Sequence, residues 1–301
     1  MKIILCDPVD ERINQHFEQS SEFTITEAFE RDQLEAEIGE ASFLVVRSGT
    51  TVDVDLLDGA PELIGIVRAG VGLDNIDLDY AAENDVQVEN TPEASTNAVA
   101  ELVVGHILSL YRSIPRADGA MKEGNWIKGD LEGREIMDKT VGVVGYGRIG
   151  QRTAKYLSGF GADIIAFDEY IADEEIEAAG AQPVTFDEIV EKADIITVHV
   201  PVTPETEDMF SMDEFKRMKD SAVIVNCSRG GIVSEREVVD ALDAGEIAGA
   251  GVDTYVEEPP GDIALTAHED VVATPHLGAT TSEAQGRIAS LVIEKIEAMA
   301  G

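Results

Sequence analysis

A glycine-rich turn at residues 145–150 is the strongest chemical signal in the sequence. Gly145, Gly147 and Gly150 have the spacing G-x-G-x-x-G, follow the apolar run KTVGVVG and precede a helical pattern at 149–160. In this setting the first glycine permits a tight turn, the second lets a pyrophosphate approach the backbone, and the third lets the helix pack closely on the strand. Free N–H groups at the start of the helix can then hold a diphosphate. The pattern predicts a dinucleotide site.

Asp168 ends the next apolar run, ADIIAFD, and lies 23 residues after Gly145. A carboxylate at this position accepts hydrogen bonds from the adenosine ribose hydroxyls and repels a ribose 2′-phosphate. The next two residues, Glu169 and Tyr170, supply no cation that would offset this repulsion. The sequence therefore favours NAD over NADP.

Three further residues with chemical potential each follow a buried strand pattern: Arg229 in NCSRGG, Glu258 in VEEPP and His276 in TPHLG. Because open α/β sheets bind ligands at the carboxyl ends of their strands, we expect these side chains at the ligand edge. Arg pairs bidentately with a carboxylate, and His exchanges a proton with a hydroxyl while Glu fixes its tautomer. Taken singly, each residue also fits a surface ion pair, a solvated acid or a polar residue before a helix.

Short apolar strand patterns alternate with helical patterns along the chain, which predicts parallel sheets covered on both faces. A long helical pattern at 95–113 precedes a polar, glycine-punctuated segment at 115–138, and a second α/β series begins at residue 139. Since 301 residues suggest about two domains, we predict two doubly wound parallel-sheet α/β domains. One comprises 1–96 plus 284–301, and the other, the dinucleotide domain, comprises 97–283.

The composition is strongly acidic. Lys and Arg number 22 and Asp and Glu number 60, which gives a formal net charge of −38. This charge argues against a nucleic-acid binder, and the 44% hydrophobic content argues against disorder. High salt would screen the self-repulsion of such a surface, so we interpret the composition as adaptation to a salt-rich cytoplasm; an ordinary acidic protein is the alternative.

Cysteine usage and the N-terminus point to a cytoplasmic protein. Cys6 and Cys227 are too few for a disulfide framework, and no Cys/His cluster predicts a metal. The N-terminal apolar run is too short for a signal peptide, and no stretch is long enough to span a membrane.

From about Phe43 onward the sequence resembles the NAD-dependent D-2-hydroxyacid dehydrogenase family. The blocks that carry the resemblance, in the family's order, are VVRSGTTV, IVRAGVGLDNID, NTPEASTNAVAELVVGHIL, VGVVGYGRIG, NCSRGGIV, AGVDTYVEEPP and TPHLGATTSEAQ. VVRSGTTV and HLGATTSEAQ are most similar to the phosphoglycerate dehydrogenases of that family. So many blocks in order are very hard to obtain by chance.

The resemblance implies an oxidoreductase that transfers a hydride between NAD(H) and a D-2-hydroxy acid or 2-keto acid. It implies a flavodoxin-like substrate domain, a Rossmann dinucleotide-binding domain, and a homodimer through the segment 115–138. The implied catalytic residues are Arg229, Glu258 and His276. The implied cofactor residues are Gly145, Gly147, Arg148, Ile149, Gly150, Asp168, His199, Pro201, Cys227, Asp253 and Gly278. The implied substrate-loop residues are Ser48, Gly49, Ala69, Gly70, Val71 and Gly72.

A phosphorylated substrate is the hypothesis suggested by two arginines. Arg47 and Arg68 are among the five basic residues before position 110, and both end strand patterns at the predicted ligand edge. We expect them to bind the 3-phosphate of D-3-phosphoglycerate, with Lys128 of the arm as a third cation. They fit ion pairs with nearby carboxylates equally well. Val71 stands where phosphoglycerate dehydrogenases often carry Thr, which removes one polar contact.

Two alternatives stay open at this point. The enzyme could be a general reductase of glyoxylate, hydroxypyruvate or bulkier 2-keto acids, or the protein could be an NAD-sensing corepressor of the same superfamily. The intact set Arg229, Glu258 and His276 counts against a corepressor. The sequence ends after its last helical pattern, so we expect no C-terminal regulatory extension.

Overall fold

Buried runs of β-branched residues form two all-parallel sheets in the computed structural model, which describes residues 1–261 and 263–301. The chain divides into two units, Met1–Ser95 with Ala279–Gly301, and Thr96–Gly278. The sequence patterns predict the second boundary at 283/284. In the structure it precedes Ala279, whose carbonyl accepts a hydrogen bond from Gln285 Nε2 of the last helix. Two parallel sheets confirm the predicted α/β class.

The first unit is a sheet with helices on both faces. Its strands are β1 (Lys2–Leu5), β2 (Thr24–Glu27), β3 (Phe43–Val46), β4 (Gly65–Arg68) and β5 (Gln87–Asn90). Its helices are α1 (Glu11–Phe17), α2 (Arg31–Glu37), α3 (Val54–Asp58), α4 (Leu78–Glu83) and the last helix of the chain, Ser282–Ala300. The strand order is β2-β1-β3-β4-β5. Ile3 packs with α1 and the last helix, whereas Ile4 packs with α2 on the other face. Burial on both faces explains why the inner strands β1, β3 and β4 are mostly apolar, whereas the edge strands β2 and β5 are not.

The second unit is larger. Its strands are β6 (Thr140–Val144), β7 (Asp163–Phe167), β8 (Gln182–Pro183), β9 (Ile195–Val198), β10 (Val223–Asn226), β11 (Gly249–Val252) and β12 (Val271–Ala273). Its helices are α5 (Thr96–Tyr111), α6 (Ile114–Lys122), α7 (Arg148–Ser158), α8 (Asp173–Ala178), α9 (Phe186–Lys192), α10 (Met212–Phe215), α11 (Glu235–Ala244) and α12 (Ala264–Ala267); the last helix of the chain is α13.

The strand order of this second sheet is β12-β11-β10-β9-β6-β7-β8. The chain builds outward from β6 to β8 in one direction and then from β9 to β12 in the other, so the direction reverses between β6 and β9. Open α/β sheets bind ligands outside the carboxyl ends of their strands at such a reversal. The topology therefore predicts a ligand site at the loops that follow β6, β9, β10, β11 and β12.

The structure contains elements that the sequence patterns did not predict. Strands β2 and β8 lie at sheet edges, and β2 has no buried residue, so neither carries a continuous apolar run. Helix α3 has five residues, too few to establish a helical period. The polar segment 115–138 begins inside helix α6, which has Pro115 near its start. Among the described helices, none has the length and apolar character needed to cross a bilayer.

Candidate active site

The glycine loop joins β6 to α7 and leaves the start of that helix open. Gly145 has a φ of +88°, which favours glycine, and a Cβ there would come 2.7 Å from the His199 carbonyl oxygen. A Cβ at Gly150 would overlap the Gly145 carbonyl oxygen, so the helix packs directly on the turn. A Cβ at Gly147 would meet nothing within 4 Å, and Gly147 caps α7 without a side-chain hydrogen bond. This cradle and its uncapped N–H groups fit a bound diphosphate.

Asp168 lies at the end of β7 beside this loop. Its Oδ2 accepts the Tyr146 N–H at 2.7 Å, and its Oδ1 accepts the Tyr170 and Ile171 N–H groups at 2.9 and 3.1 Å. The carboxylate therefore ties the glycine loop to the end of the neighbouring strand. Because each carboxylate oxygen can accept two hydrogen bonds, Oδ2 keeps capacity for a ribose hydroxyl.

Other residues implied as cofactor contacts surround the same sheet edge. Arg148 and Ile149 open α7, and Pro201 is exposed after β9. His199 donates its backbone N–H to the Val144 carbonyl, at 2.7 Å, next to the glycine turn. Burial lowers the pKa of His199 to about 3, so its ring is neutral.

Two more of the implied cofactor residues are buried in the structure. Cys227 directly follows β10. Burial raises its pKa, so its side chain is an unionised thiol. Asp253 follows β11 with no exposed surface. Its carboxylate accepts the Thr274 hydroxyl at 2.6 Å and the Leu277 and Gly278 N–H groups at 2.7 and 2.9 Å. The Asp253 side chain is thus engaged by the protein itself.

Glu258 and His276 are in direct contact. His276 Nδ1 lies 2.7 Å from Glu258 Oε2, and Glu258 Oε1 accepts the Tyr255 N–H at 3.2 Å. The side chains are 36% and 35% exposed, so the pair is reachable from solvent. His276 has a φ of +51°, an unusual conformation for a non-glycine residue, and its N–H donates to the Asp253 carbonyl at 2.8 Å. With Nδ1 occupied, Nε2 is the ring atom available to a substrate.

Arg229 lies in the loop after β10, next to the loop that carries Glu258. Asn226 shapes this loop, since its Nδ2 donates to the Arg229 carbonyl at 2.7 Å. A Cβ at Gly230 would overlap backbone atoms of Tyr255 and Val256, so the Arg229 loop lies directly against that turn. Because β10, β11 and β12 are adjacent, the structure brings the three loops to one edge. A pocket of about 530 Å³ borders the Glu258–His276 pair.

The first loop that the resemblance implies for the substrate follows β3 in the other unit. Asp7 Oδ2 accepts the Arg47 N–H at 2.5 Å, and Asn75 Nδ2 donates to the Arg47 carbonyl at 2.7 Å. These two contacts, from Asp7 and Asn75, form a clamp on the Arg47 backbone. The next two residues, Ser48 and Gly49, are exposed. Sequence reasoning missed Asp7 and Asn75. Asp7 could have been noticed because it follows the first strand pattern, as Arg47 follows the second.

The second loop that the resemblance implies for the substrate follows β4, next to β3 in the sheet. The Arg68 guanidinium folds over Gly70, where a Cβ would overlap it. The Gly70 carbonyl accepts the Thr91 N–H at 2.9 Å, and the Val71 carbonyl accepts Asn90 Nδ2 at 2.6 Å. Ala69 is buried and Gly72 is half-buried. The two loops thus lie at one edge of the first sheet.

Metal binding has no structural support in the described ranges, 1–261 and 263–301: no group of three or more His, Cys, Asp or Glu side chains could hold an ion.

Comparisons with known proteins show the family of this chain. Residues 104–278 match the family described as D-isomer specific 2-hydroxyacid dehydrogenase, NAD binding domain. The chain is 41% identical to D-3-phosphoglycerate dehydrogenase of Methanocaldococcus jannaschii over 99% of this chain and 57% of that relative. It is 40% identical to hydroxypyruvate reductase of Thermotoga maritima over 96% of this chain and 95% of that relative. D-lactate dehydrogenase of Aquifex aeolicus, solved with NAD and lactic acid, superposes with a TM-score of 0.90 at 26% identity, over 100% of this chain and 95% of that one.

The chain belongs to the D-isomer specific 2-hydroxyacid dehydrogenase family and contains its NAD-binding domain. The family resemblance and the NAD cofactor predicted from the sequence are thereby confirmed. The chain spans a little over half the length of the D-3-phosphoglycerate dehydrogenases that it matches.

Proposed function

We propose that this protein is an NAD-dependent dehydrogenase that interconverts a D-2-hydroxy acid and the corresponding 2-keto acid. The observation that carries the proposal is the 2.7 Å contact between Glu258 and His276. It lies in the same unit, and at the same edge of the same sheet, as the open glycine loop. An acid–base pair at the same sheet edge as a dinucleotide cradle suits the removal of a proton and a hydride from neighbouring atoms of one substrate.

Three side chains perform the chain's part of the reaction. Bound NAD⁺ supplies the hydride acceptor. In the oxidation direction, His276 Nε2 takes the proton of the C2 hydroxyl, and Glu258 stabilises the imidazolium that forms and holds the ring through Nδ1. Arg229 pairs with the substrate carboxylate and with the developing carbonyl oxygen. In reduction, His276 returns the proton.

The glycine loop and Asp168 hold the cofactor. The first N–H groups of α7, at Arg148 and Ile149, bind the diphosphate where Gly147 leaves space. Asp168 accepts the ribose hydroxyls through its remaining hydrogen-bonding capacity. The carboxylate favours NAD over NADP.

For the substrate, we propose D-3-phosphoglycerate and 3-phosphohydroxypyruvate, with Arg47 and Arg68 binding the 3-phosphate. The names of the relatives in the family support this assignment, as does the placement of both arginines at the ends of adjacent strands. A general 2-keto acid reductase is the second candidate. It is favoured by one observation, the match to a hydroxypyruvate reductase over 95% of that relative's length.

A substrate screen at molar KCl tests the function, with His276→Ala as the matched inactive control. Reduction of 3-phosphohydroxypyruvate, hydroxypyruvate and glyoxylate is followed by NADH absorbance. We expect turnover by the wild type only. Binding of NADH without turnover of any keto acid would overturn the dehydrogenase assignment in favour of a sensing role. Much faster reduction of unphosphorylated acids would overturn the phosphoglycerate assignment alone.

We further propose a cytoplasmic homodimer formed through the segment 115–138. Large apolar side chains in and beside it are exposed in the single chain: Ile114 at 50%, Met121 at 56%, Trp126 at 77% and Met137 at 60%. Trp126 is the one tryptophan of the sequence, so its fluorescence reports directly on this segment. Sedimentation equilibrium should give a dimer, and dilution should shift the emission to the red. A monomer at micromolar concentration would contradict the proposal.

A further inference from the structure

His106 is a buried titratable residue that the proposed reaction does not use. It lies on α5 and is 2% exposed. Its ring packs on β11, since a Cβ at Gly251 would come 3.1 Å from His106 Nδ1. Burial lowers the pKa of His106, so the ring is neutral near neutral pH.

The hydrogen bonds that start at His106 have a defined direction. The Thr274 hydroxyl lies 2.6 Å from Asp253 Oδ1 and 2.9 Å from His106 Nε2. An ionised carboxylate only accepts hydrogen bonds, so the Thr274 proton goes to Asp253. The Thr274 oxygen is then the acceptor for an N–H at His106 Nε2. This order places the proton of the neutral His106 ring on Nε2.

The chain of hydrogen bonds ends on the backbone around His276. Asp253 accepts the Leu277 and Gly278 N–H groups with its carboxylate, and its carbonyl accepts the His276 N–H. These contacts hold His276 in its left-handed conformation, with φ of +51°. A left-handed conformation of a non-glycine residue is unfavourable in isolation, so it depends on such contacts.

We propose that His106 and Thr274 are positioning residues, which act through Asp253 to hold the His276 backbone and thereby direct its imidazole. The inference rests on the proposed dehydrogenase function. It concerns residues 168 positions apart in sequence, one on a helix and one after the edge strand β12. In this proposal, each acts by fixing the backbone of His276 rather than by contacting the substrate.

Thr274→Val tests the proposal, with Thr274→Ser as its matched control. The backbone of Thr274 is held independently, since its N–H donates to the Val252 carbonyl and its carbonyl accepts the Tyr255 hydroxyl at 3.0 Å. Removal of a hydrogen bond to a charged group should lower kcat about ten-fold in Thr274→Val. The KM for NADH should change little, and Thr274→Ser should restore kcat.

A second measurement does not require turnover. The pH titration of the His276 imidazole is followed by NMR in wild type, Thr274→Val and Thr274→Ser. A looser contact with Glu258 stabilises the imidazolium less, so the midpoint should fall in Thr274→Val and return in Thr274→Ser. A wild type inactive on every keto acid would remove the proposed function, whereas this titration would still test the positioning.

His106→Leu removes the N–H donor to Thr274, which provides an independent variant if Thr274→Val does not fold. It should lower kcat about three-fold or more, and His106→Gln, which keeps an N–H donor, should recover part of the loss. The double variant with Thr274→Val should be no worse than Thr274→Val alone, because both act through one chain. A folded Thr274→Val or His106→Leu with wild-type kcat and midpoint would overturn the proposal.

Discussion

The imidazole of His276 and the carboxylate of Glu258 meet at 2.7 Å, although the two residues follow different strands, β12 and β11. The parallel pairing of these strands sets both loops at one sheet edge. The contact uses Nδ1 and leaves Nε2 for a substrate.

His276→Ala should lower kcat by roughly two to four orders of magnitude, the usual contribution of a general acid–base. Steady-state kinetics with NADH and the best keto acid provide the measurement. Because the side chain is partly exposed, the variant should keep the wild-type fold by circular dichroism. A folded variant with kcat within a few-fold of wild type would show that another group moves the proton.

Asp168→Ala should narrow the preference for NADH over NADPH, because the repulsion of a 2′-phosphate and the ribose contacts are both lost. It also removes the acceptor of three backbone N–H groups, so the melting temperature should fall as well. The ratio of kcat/KM for the two cofactors separates these effects, since lower stability alone leaves the ratio unchanged. A wild type that prefers NADPH would show that the assigned role of Asp168 is wrong.

Arg68→Ala should raise the KM for the phosphorylated substrate about ten-fold or more, since loss of a charge-assisted contact costs about 1.5–3 kcal/mol. The KM for glyoxylate, which has no phosphate, should barely change. Arg12→Ala serves as the control, because Arg12 belongs to the same unit and pairs with Asp10. Equal effects on both substrates would point to damage of the loop rather than to phosphate binding.

Molar KCl should raise both the melting temperature and the activity, because a chain with a net charge of −38 repels itself in dilute buffer. Screening acts on all exposed carboxylates together, so the increase should be gradual with salt. Differential scanning calorimetry and initial rates across a KCl series provide the test. A melting temperature independent of salt would contradict the interpretation of the composition as halophilic.

Stability should decline in mild acid through His199. Burial lowers its folded-state pKa from 6.5 to about 3. Between these values the unfolded chain binds a proton that the folded chain does not, so the free energy of unfolding falls as pH falls. Above pH 6.5 the His199 ring is neutral in both the folded and the unfolded chain, so this loss of stability is absent. Urea unfolding of wild type and His199→Gln is measured at about pH 7 and about pH 5. The free energy of unfolding should fall less between these two pH values in the variant than in the wild type. Equal losses would exclude His199 as the source.

The placement of the candidate site residues at the strand ends could be predicted from the sequence alone. The glycine turn, Asp168 and the residues Arg229, Glu258 and His276 each stand next to a local pattern of strand or helix. Parallel strands place their carboxyl ends together whatever their order, so a local pattern is enough to predict a shared edge. The family could also be inferred from the sequence, because the blocks that carry the resemblance are short local stretches of the chain.

The tertiary structure decided the contacts that hold this chemistry in place. The clamp of Asp7 and Asn75 on Arg47, and the link from His106 to Thr274, join residues far apart in the chain. No local spacing encodes such pairs, because they depend on which elements pack together. Edge strands β2 and β8 were missed for a related reason: a strand that is not buried on both faces carries no continuous apolar run, and only pairing with a neighbour defines it.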